Sequence, residues 1–326
     1  MSDDTLLTRL RRKLQGVQSK LAFDDWQDYP EFATKKVRFC RCKRSNQICS
    51  RVQGAHRLTD SIMYMRSLSL IHQGLGRVAL LGCILGILWG VHFVGWIQLT
   101  LHLTGLILLP DSVTSFVGAA RVQLLWQWCA YGTALCTFHL AEFFTTAIWN
   151  PAAVTADSFL VNHSTGYTAA ALTSWTEFLL RFILFPNWNS VTISILGLSI
   201  VCIGQTLRSL AMITAAQSFN HLIQLNKKES HVLITHGIYR VLRHPSYVGF
   251  FWWSVSTQLL LGNLLHSILF AAVSWSFFNR RIPFEEESLC KLFPDEYPQY
   301  VAVSWTGIPL IRTQVVYDNK PSPKQD

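Results

Sequence analysis

Between Arg77 and Asp111 the chain runs for 33 residues without one Asp, Glu, Lys or Arg. No water-facing surface can be built from such a run, and a helix needs only about 20 apolar residues to cross the hydrocarbon core of a bilayer. The run is long for one upright span and short for two, so a tilted helix or a compact hairpin ending at Pro110 is expected. The rest of the sequence agrees. Half of the 326 residues are hydrophobic and 14% are charged, where a soluble domain carries about 25%. With 12 Trp and a mean hydropathy of +0.26, the bulk of the chain is neither disordered, nor collagen-like, nor an ordinary cytosolic enzyme.

Further apolar stretches run from about Val122 to Trp149, Tyr167 to Phe185, Val191 to Ile213, Tyr247 to Leu261 and Leu264 to Phe278. Turn signals separate them: Asn150-Pro151, Pro186-Asn187 and Gly262-Asn263. Alternation with period two over segments of about ten residues is not evident, which argues against a β-barrel, and no internal repeat of the transporter kind is visible. The expected fold is an all-α polytopic integral membrane protein with about six transmembrane helices, five to eight being compatible with the pattern.

Charge sets the orientation. Residues 1–77 hold 15 Lys/Arg and 7 Asp/Glu, whereas the remainder is close to balanced. Arg66 and Arg77 flank the first span, and basic flanks stay cytosolic. An even number of spans returns the C-terminus to the same side. No apolar stretch follows the first basic residues, so a cleaved secretory leader is not expected. Three parts are expected: a basic, poorly ordered cytosolic segment over 1–76, a transmembrane domain over 77–312 with its cofactor-binding part at about 217–300, and a polar tail over 313–326. The basic segment reads best as a solvated tail able to touch anionic lipid. Cys40, Cys42 and Cys49 near His56 lack the paired spacing of a zinc site, and no metal is expected. Cys83, Cys129, Cys136 and Cys202 lie in apolar stretches as small hydrophobes.

Four charges interrupt the apolar stretches: Glu142, Glu177, Arg181 and Arg208. An ionisable group at the bilayer centre costs at least about 2.5–3.5 kcal/mol, so such groups face a polar interior. Glu177 and Arg181, four residues apart, are expected to neutralise each other on one helix face. Arg208 has no acid within a helical turn and needs an anion from elsewhere, a ligand carboxylate being one candidate.

Residues 217–247 are unusually rich in chemistry for a linker, with His221, His231, His236 and His244, two tyrosines, Arg240 and Arg243. Placed between two apolar stretches, they belong at the cytosolic face. The histidine intervals are irregular and no Cys or carboxylate sits at ligand spacing, so a metal cluster is disfavoured. In Arg243-His244-Pro245-Ser246-Tyr247, followed by Gly249, the proline pushes His244 out of helical geometry and can begin the next helix. His244, Tyr247 and the free N–H groups of a helix N-terminus then converge, a natural place for a ligand carboxylate.

Several segments in order resemble isoprenylcysteine carboxyl methyltransferase. They are Asp157-Ser158-Phe159-Leu160 with Asn162-His163-Ser164, Leu207-Arg208, Ser218-Phe219-Asn220-His221, His231-Val232-Leu233-Ile234-Thr235 with Gly237 and Tyr239, Arg243 through Gly249, Phe277-Phe278 with Arg280-Arg281, Glu285-Glu286, and Tyr297 with Tyr300. The likeness covers about residues 120–312. It implies an endoplasmic-reticulum membrane enzyme that uses S-adenosylmethionine to methylate the C-terminal carboxylate of a prenylated cysteine. Such cysteines arise from CaaX proteins, small GTPases among them. The resemblance further implies cofactor contacts from Gln224, His231, Val232, Leu233, Ile234, Tyr239, His244, Pro245, Ser246, Tyr247 and Glu285. It places Arg281 toward the prenyl substrate and gives catalytic roles to Arg208 and Glu285, with Glu286 the alternative carboxylate. A site at the cytosolic edge of the bundle, open sideways to lipid, would admit both substrates; nucleic acid is not expected as a partner. A membrane sterol reductase using NADPH, a phospholipid N-methyltransferase and a non-catalytic transporter or receptor are the other readings. NADPH binding, methylation of an amine headgroup and flux across vesicles would mark them in turn.

Overall fold

The computed structural model describes residues 49–110, 117–161, 165–221 and 232–311, with 112, 115 and 223 besides, and only the backbone over 49–73. Seven α-helices are present among them: α1 (Cys49–Leu103), α2 (Ala119–Trp149), α3 (Thr165–Leu184), α4 (Val191–Ala215), α5 (Pro245–Leu261), α6 (Leu264–Leu292) and α7 (Glu296–Val303). The described residues contain no strand beyond one isolated parallel bridge between Leu242 and Trp305. The chain divides into two compact units, residues 1–81 and 82–326, and the candidate site lies wholly in the second.

The charge-free run is one helix, not a hairpin: α1 continues through it to Leu103, where Thr104 and Gly105 (φ 77°) turn the chain. Two helical stretches, Gly74–Leu103 and Val191–Ser218, are long and apolar enough to cross a membrane. The remaining long helices carry more polar residues, and several of these are buried. Gln127 and Asn263 are 0% exposed and Glu142 is 1%, whereas Leu172 is 55% and Ile268 70% exposed. That inverts the soluble arrangement, in which charged and amide side chains face water, and matches one in which the surroundings are apolar.

Local sequence explains the helix limits. Ser190 accepts a hydrogen bond from the Ile193 amide at the start of α4. Pro245 occupies the first turn of α5, where its missing N–H costs nothing. Gly262, with φ 74°, takes the left-handed position that ends α5. After it α6 runs past Phe278, where the apolar stretch stops, to Leu292. The extension puts Arg281 and Glu285 four residues apart on one helix.

Helices α4 and α5 form the tightest pair. A Cβ added to Gly204 would lie 2.8 Å from the Gly249 carbonyl oxygen, and one added to Gly249 would lie 2.7 Å from the Arg208 amide nitrogen. Glycine therefore stands at 249 because two backbones meet there, and their approach fixes where Arg208 emerges.

Candidate active site

The N-terminus of α5, the inner faces of α2, α4 and α6, and the loop and α7 after α6 enclose a cavity of about 240 Å³. Of the sequence-expected site residues, Arg208, Val232, Leu233, Ile234, Tyr239, His244, Pro245, Ser246, Tyr247, Arg281 and Glu285 all line it. Gln224 and His231 lie outside the described residues.

Arg208 reaches the cavity from α4. Its Nε and Nη2 donate to the two oxygens of Glu142, the Nη2 bond being 2.9 Å, and its Nη1 donates to Ser246 Oγ at 2.9 Å. The guanidinium carbon sits 5.5 Å from the ring centres of both Phe138 and Phe250. The anion that Arg208 requires is thus supplied within the protein by Glu142 of α2, 66 residues away in sequence.

Tyr247 is the hub of the opposite wall. Its hydroxyl donates to Glu285 Oε2 at 2.6 Å and accepts from Arg281 Nε at 2.8 Å. Arg281 Nη2 also donates to the His221 carbonyl at 2.6 Å. The Tyr247 ring stacks on His244 (centroids 5.4 Å, 3° between planes) and on Phe278 (4.9 Å). The result is a flat aromatic wall beside a carboxylate, a surface suited to an organic cation.

Glu285 lines the cavity and Glu286 does not. Glu286 turns into the protein, accepting from Arg243 Nε at 2.9 Å and pairing with His244 Nε2 at 3.0 Å. Arg243 in turn donates to the Ser304 carbonyl and to the Val301 carbonyl at 3.3 Å, while its amide donates to the Trp305 carbonyl at 2.7 Å. Arg243 therefore ties the turn before α5 to the chain after α7.

Tyr239, Tyr297 and Tyr300 close the far end. The Tyr300 hydroxyl donates to the Tyr239 carbonyl at 2.5 Å. Burial pushes the Tyr300 phenol up to about 12. Burial raises Tyr239 and Tyr297 as well, with Glu285 adding to the first and Glu286 to the second. All three stay neutral hydroxyls at any physiological pH. Tyr297, 1% exposed and lining the cavity, has a hydroxyl with no hydrogen-bond partner among the described residues. A buried polar atom of that kind invites a ligand atom.

The expected Glu177–Arg181 pair does not form a direct bridge. Arg181 donates to the carbonyls of Leu261 and Gly262 and, at 3.1 Å, to Gln127 Oε1. Glu177 accepts from the His266 amide at 3.1 Å and from the His266 ring. The helix termini explain the correction: the cation caps the negative end of α5 and the anion the positive start of α6, which satisfies more groups than one mutual bridge. Sequence reasoning also left Phe138, Tyr167 and Phe250 unassigned, though all three line the cavity. Nothing in their local sequence distinguishes them from other apolar-face aromatics.

Inward-facing charges within an apolar exterior, and a cavity pairing a clamped arginine with an aromatic wall and a carboxylate, define the class as a membrane-embedded enzyme. Comparison with known proteins gives the particular kind. The sequence pattern of the isoprenylcysteine carboxyl methyltransferase family matches residues 195–291. Protein-S-isoprenylcysteine O-methyltransferase of Xenopus laevis is 44% identical over 189 residues, covering 57% of this chain and 66% of that protein. The protein of the same name from Schizosaccharomyces pombe is 38% identical over 219 residues, 61% of this chain and 93% of its own length. The solved structure of a eukaryotic intramembrane Ras methyltransferase of this kind superposes with a TM-score of 0.59 at 32% identity, covering 72% of this chain and 98% of that one. The chain belongs to the isoprenylcysteine carboxyl methyltransferase family. It spans about two thirds of the length of the frog relative.

Proposed function

We propose that this chain transfers the methyl group of S-adenosylmethionine to the C-terminal α-carboxylate of a prenylated cysteine, completing the processing of CaaX proteins such as small GTPases. The observation that carries the reading is the single cavity that presents Arg208 on one wall and the Tyr247–Glu285 pair on the other.

A terminal carboxylate has a pKa near 3.5 and is already ionised, so no general base has to activate it. What remains is to aim it and strip its water. Of its five N–H groups Arg208 has one, on Nη2, beyond those held by Glu142 and Ser246, and a charge-assisted hydrogen bond from it orients a carboxylate oxygen. The donor residues fit their intended ligand: Glu285 balances a cation, His244 and Tyr247 offer ring faces, and the unpartnered Tyr297 hydroxyl awaits a polar atom. When bound, S-adenosylmethionine supplies an electrophilic methyl group on a positively charged sulfur. Val232, Leu233 and Ile234 line the same pocket. Arg281, stacked 5.5 Å from Tyr247 and 5.7 Å from Phe277, faces the side on which an apolar tail would lie.

The fold reading extends accordingly. Besides the two apolar stretches, α2, α3, α5 and α6 cross the bilayer, making about six spans. Exposed leucines and isoleucines on α3 and α6 support this, because such a surface needs lipid against it. The location is the endoplasmic-reticulum membrane, with both termini cytosolic and residues 77–312 as the catalytic domain.

The test is methyl transfer in membranes from a host lacking the activity, with methyl-labelled S-adenosylmethionine and N-acetyl-S-farnesylcysteine. Base-labile counts that require the farnesyl group are expected, since a carboxyl ester hydrolyses in mild base. Label in a base-stable lipid headgroup, or no counts at all, would overturn the reading.

A further inference from the structure

We propose that Glu142 is a positioning residue that keeps Arg208 electrically neutral as a pair, so that a substrate carboxylate is oriented at Arg208 without being trapped there as a tight ion pair. The inference rests on the carboxyl-methylation reading above and deepens it.

Glu142 does not line the cavity. It stands behind Arg208, 1% exposed, and meets the guanidinium with both oxygens. His221 Nε2 lies 3.7 Å from its Oε2. Burial alone does not demand a carboxylate at this place. Arg181, equally buried, is held by two backbone carbonyls and the amide oxygen of Gln127. The same chain thus satisfies one buried arginine with neutral acceptors and the other, at the cavity, with a full negative charge.

The chemistry supplies a reason. In the transfer a carboxylate oxygen bonds to the methyl carbon, the carbon–sulfur bond breaks, and its electron pair stays on sulfur. No proton moves. One negative and one positive charge vanish, so the transition state is less charged than the reactants. A bare arginine would stabilise the ionised carboxylate more than the half-formed ester, and tighter ground-state binding of that kind raises the barrier. With Glu142 in place, Arg208 offers a directional N–H but little net field. The rest of the site repeats the pattern among the described residues: Arg243 is matched by Glu286, and Arg281 is joined through Tyr247 to Glu285.

The experiment measures binding, with no methyl donor present, of N-acetyl-S-farnesylcysteine and of its methyl ester to the purified full chain in detergent. In the native protein the acid and the ester should bind within about fivefold of each other, because a paired arginine exerts little net Coulomb pull. Glu142→Gln should tighten the acid on the order of tenfold and leave the ester unchanged, as expected when a unit charge a few ångströms away is removed at an intermediate dielectric. Glu142→Asp, which keeps the charge, should stay near the native ratio. In turnover, Glu142→Gln should lower KM for the acid and lower kcat, a split that a merely structural defect would not produce.

An unmoved acid-to-ester ratio in Glu142→Gln would overturn the inference, as would the same shift in Glu142→Asp. If Glu142→Gln does not fold, the native ratio decides: a preference for the acid of about a hundredfold, the mark of an unneutralised arginine, sinks it. Binding of neither compound to the native protein sinks the functional reading as well, so the two failures are told apart.

Discussion

Each end of helix α5 meets a buried arginine from another helix, Arg181 of α3 at one and Arg208 of α4 at the other, and the two are used in opposite ways. At its C-terminal end Arg181 donates from Nη1 and Nη2 to the carbonyls of Leu261 and Gly262 and to Gln127, with Glu177 nearby capping α6 through His266. At its N-terminal end Arg208 is clamped by Glu142 and Ser246 yet still faces a cavity. Both arginines interrupt apolar stretches and both are buried, so neither burial nor residue type separates structure from function. The separation comes from where each side chain lies. Arg181 points Nη1 and Nη2 at a helix end, where orphan carbonyls lie, whereas Arg208 lines the cavity.

The largest effects should fall on the cavity side. Arg208→Ala and Glu285→Gln are each expected to lower methyl transfer by more than about a hundredfold, at 1.36 kcal/mol per tenfold, while the protein still inserts. Activity in membranes, normalised to inserted protein, measures it; near-native rates in either variant would remove that residue from the proposed site. Glu286→Gln should act otherwise, loosening Arg243 and the chain after α7 and costing stability before rate.

At the other end the ranking reverses. Arg181→Ala strips the cap from α5 and orphans buried carbonyls, which should cost about 2–4 kcal/mol of stability. The rate per folded molecule should stay within about twofold of native on the same argument. Thermal unfolding in detergent alongside activity would show it, and a collapse of turnover in a stably folded Arg181→Ala would erase the distinction drawn here.

Much of this was legible in the sequence because apolar runs and turn residues are local signals. The helix α2–α4 limits lie within three residues of the stretches read from hydropathy, and Gly262-Asn263 joins α5 to α6 as expected. The Arg243–Tyr247 motif picked out five residues that line the cavity. Long-range pairing was not legible. Arg208 finds Glu142 from 66 positions away, and Glu177 and Arg181 look like mutual partners until the ends of two other helices are brought beside them. Helix α6 also outran its hydropathy, since residues 279–292 form helix despite their charge. Hydropathy reports surroundings, whereas Arg281 and Glu285 form helix in a polar setting.

Gly249→Ala tests whether the Arg208 end depends on backbone approach. The added methyl would meet the Arg208 amide and the Gly204 carbonyl at 2.7 Å, so α4 and α5 must part. Overpacking of this kind costs about 1–3 kcal/mol, and the displacement moves Arg208 relative to Ser246. A loss of rate on the order of tenfold, accompanied by modest destabilisation, is expected, since a small misplacement of an orienting group is costly. Unchanged turnover would mean that the cavity tolerates a shift of Arg208.

The smallest effect is expected beyond both ends, on the outer turn of α6. Lys291 and Glu287 form a 2.5 Å pair one helical turn apart, with side chains 73% and 62% exposed. Water and salt screen such a pair, and ordering two long side chains offsets the attraction, so Lys291→Ala should change stability by no more than about 0.5 kcal/mol. Turnover should be native. The pair lies on the same helix as Arg281 and Glu285, so the variant separates being near the site from belonging to it. A large loss of activity in Lys291→Ala would extend the functional surface outward along α6, and the contrast between cavity-facing and solvent-facing charge would no longer hold.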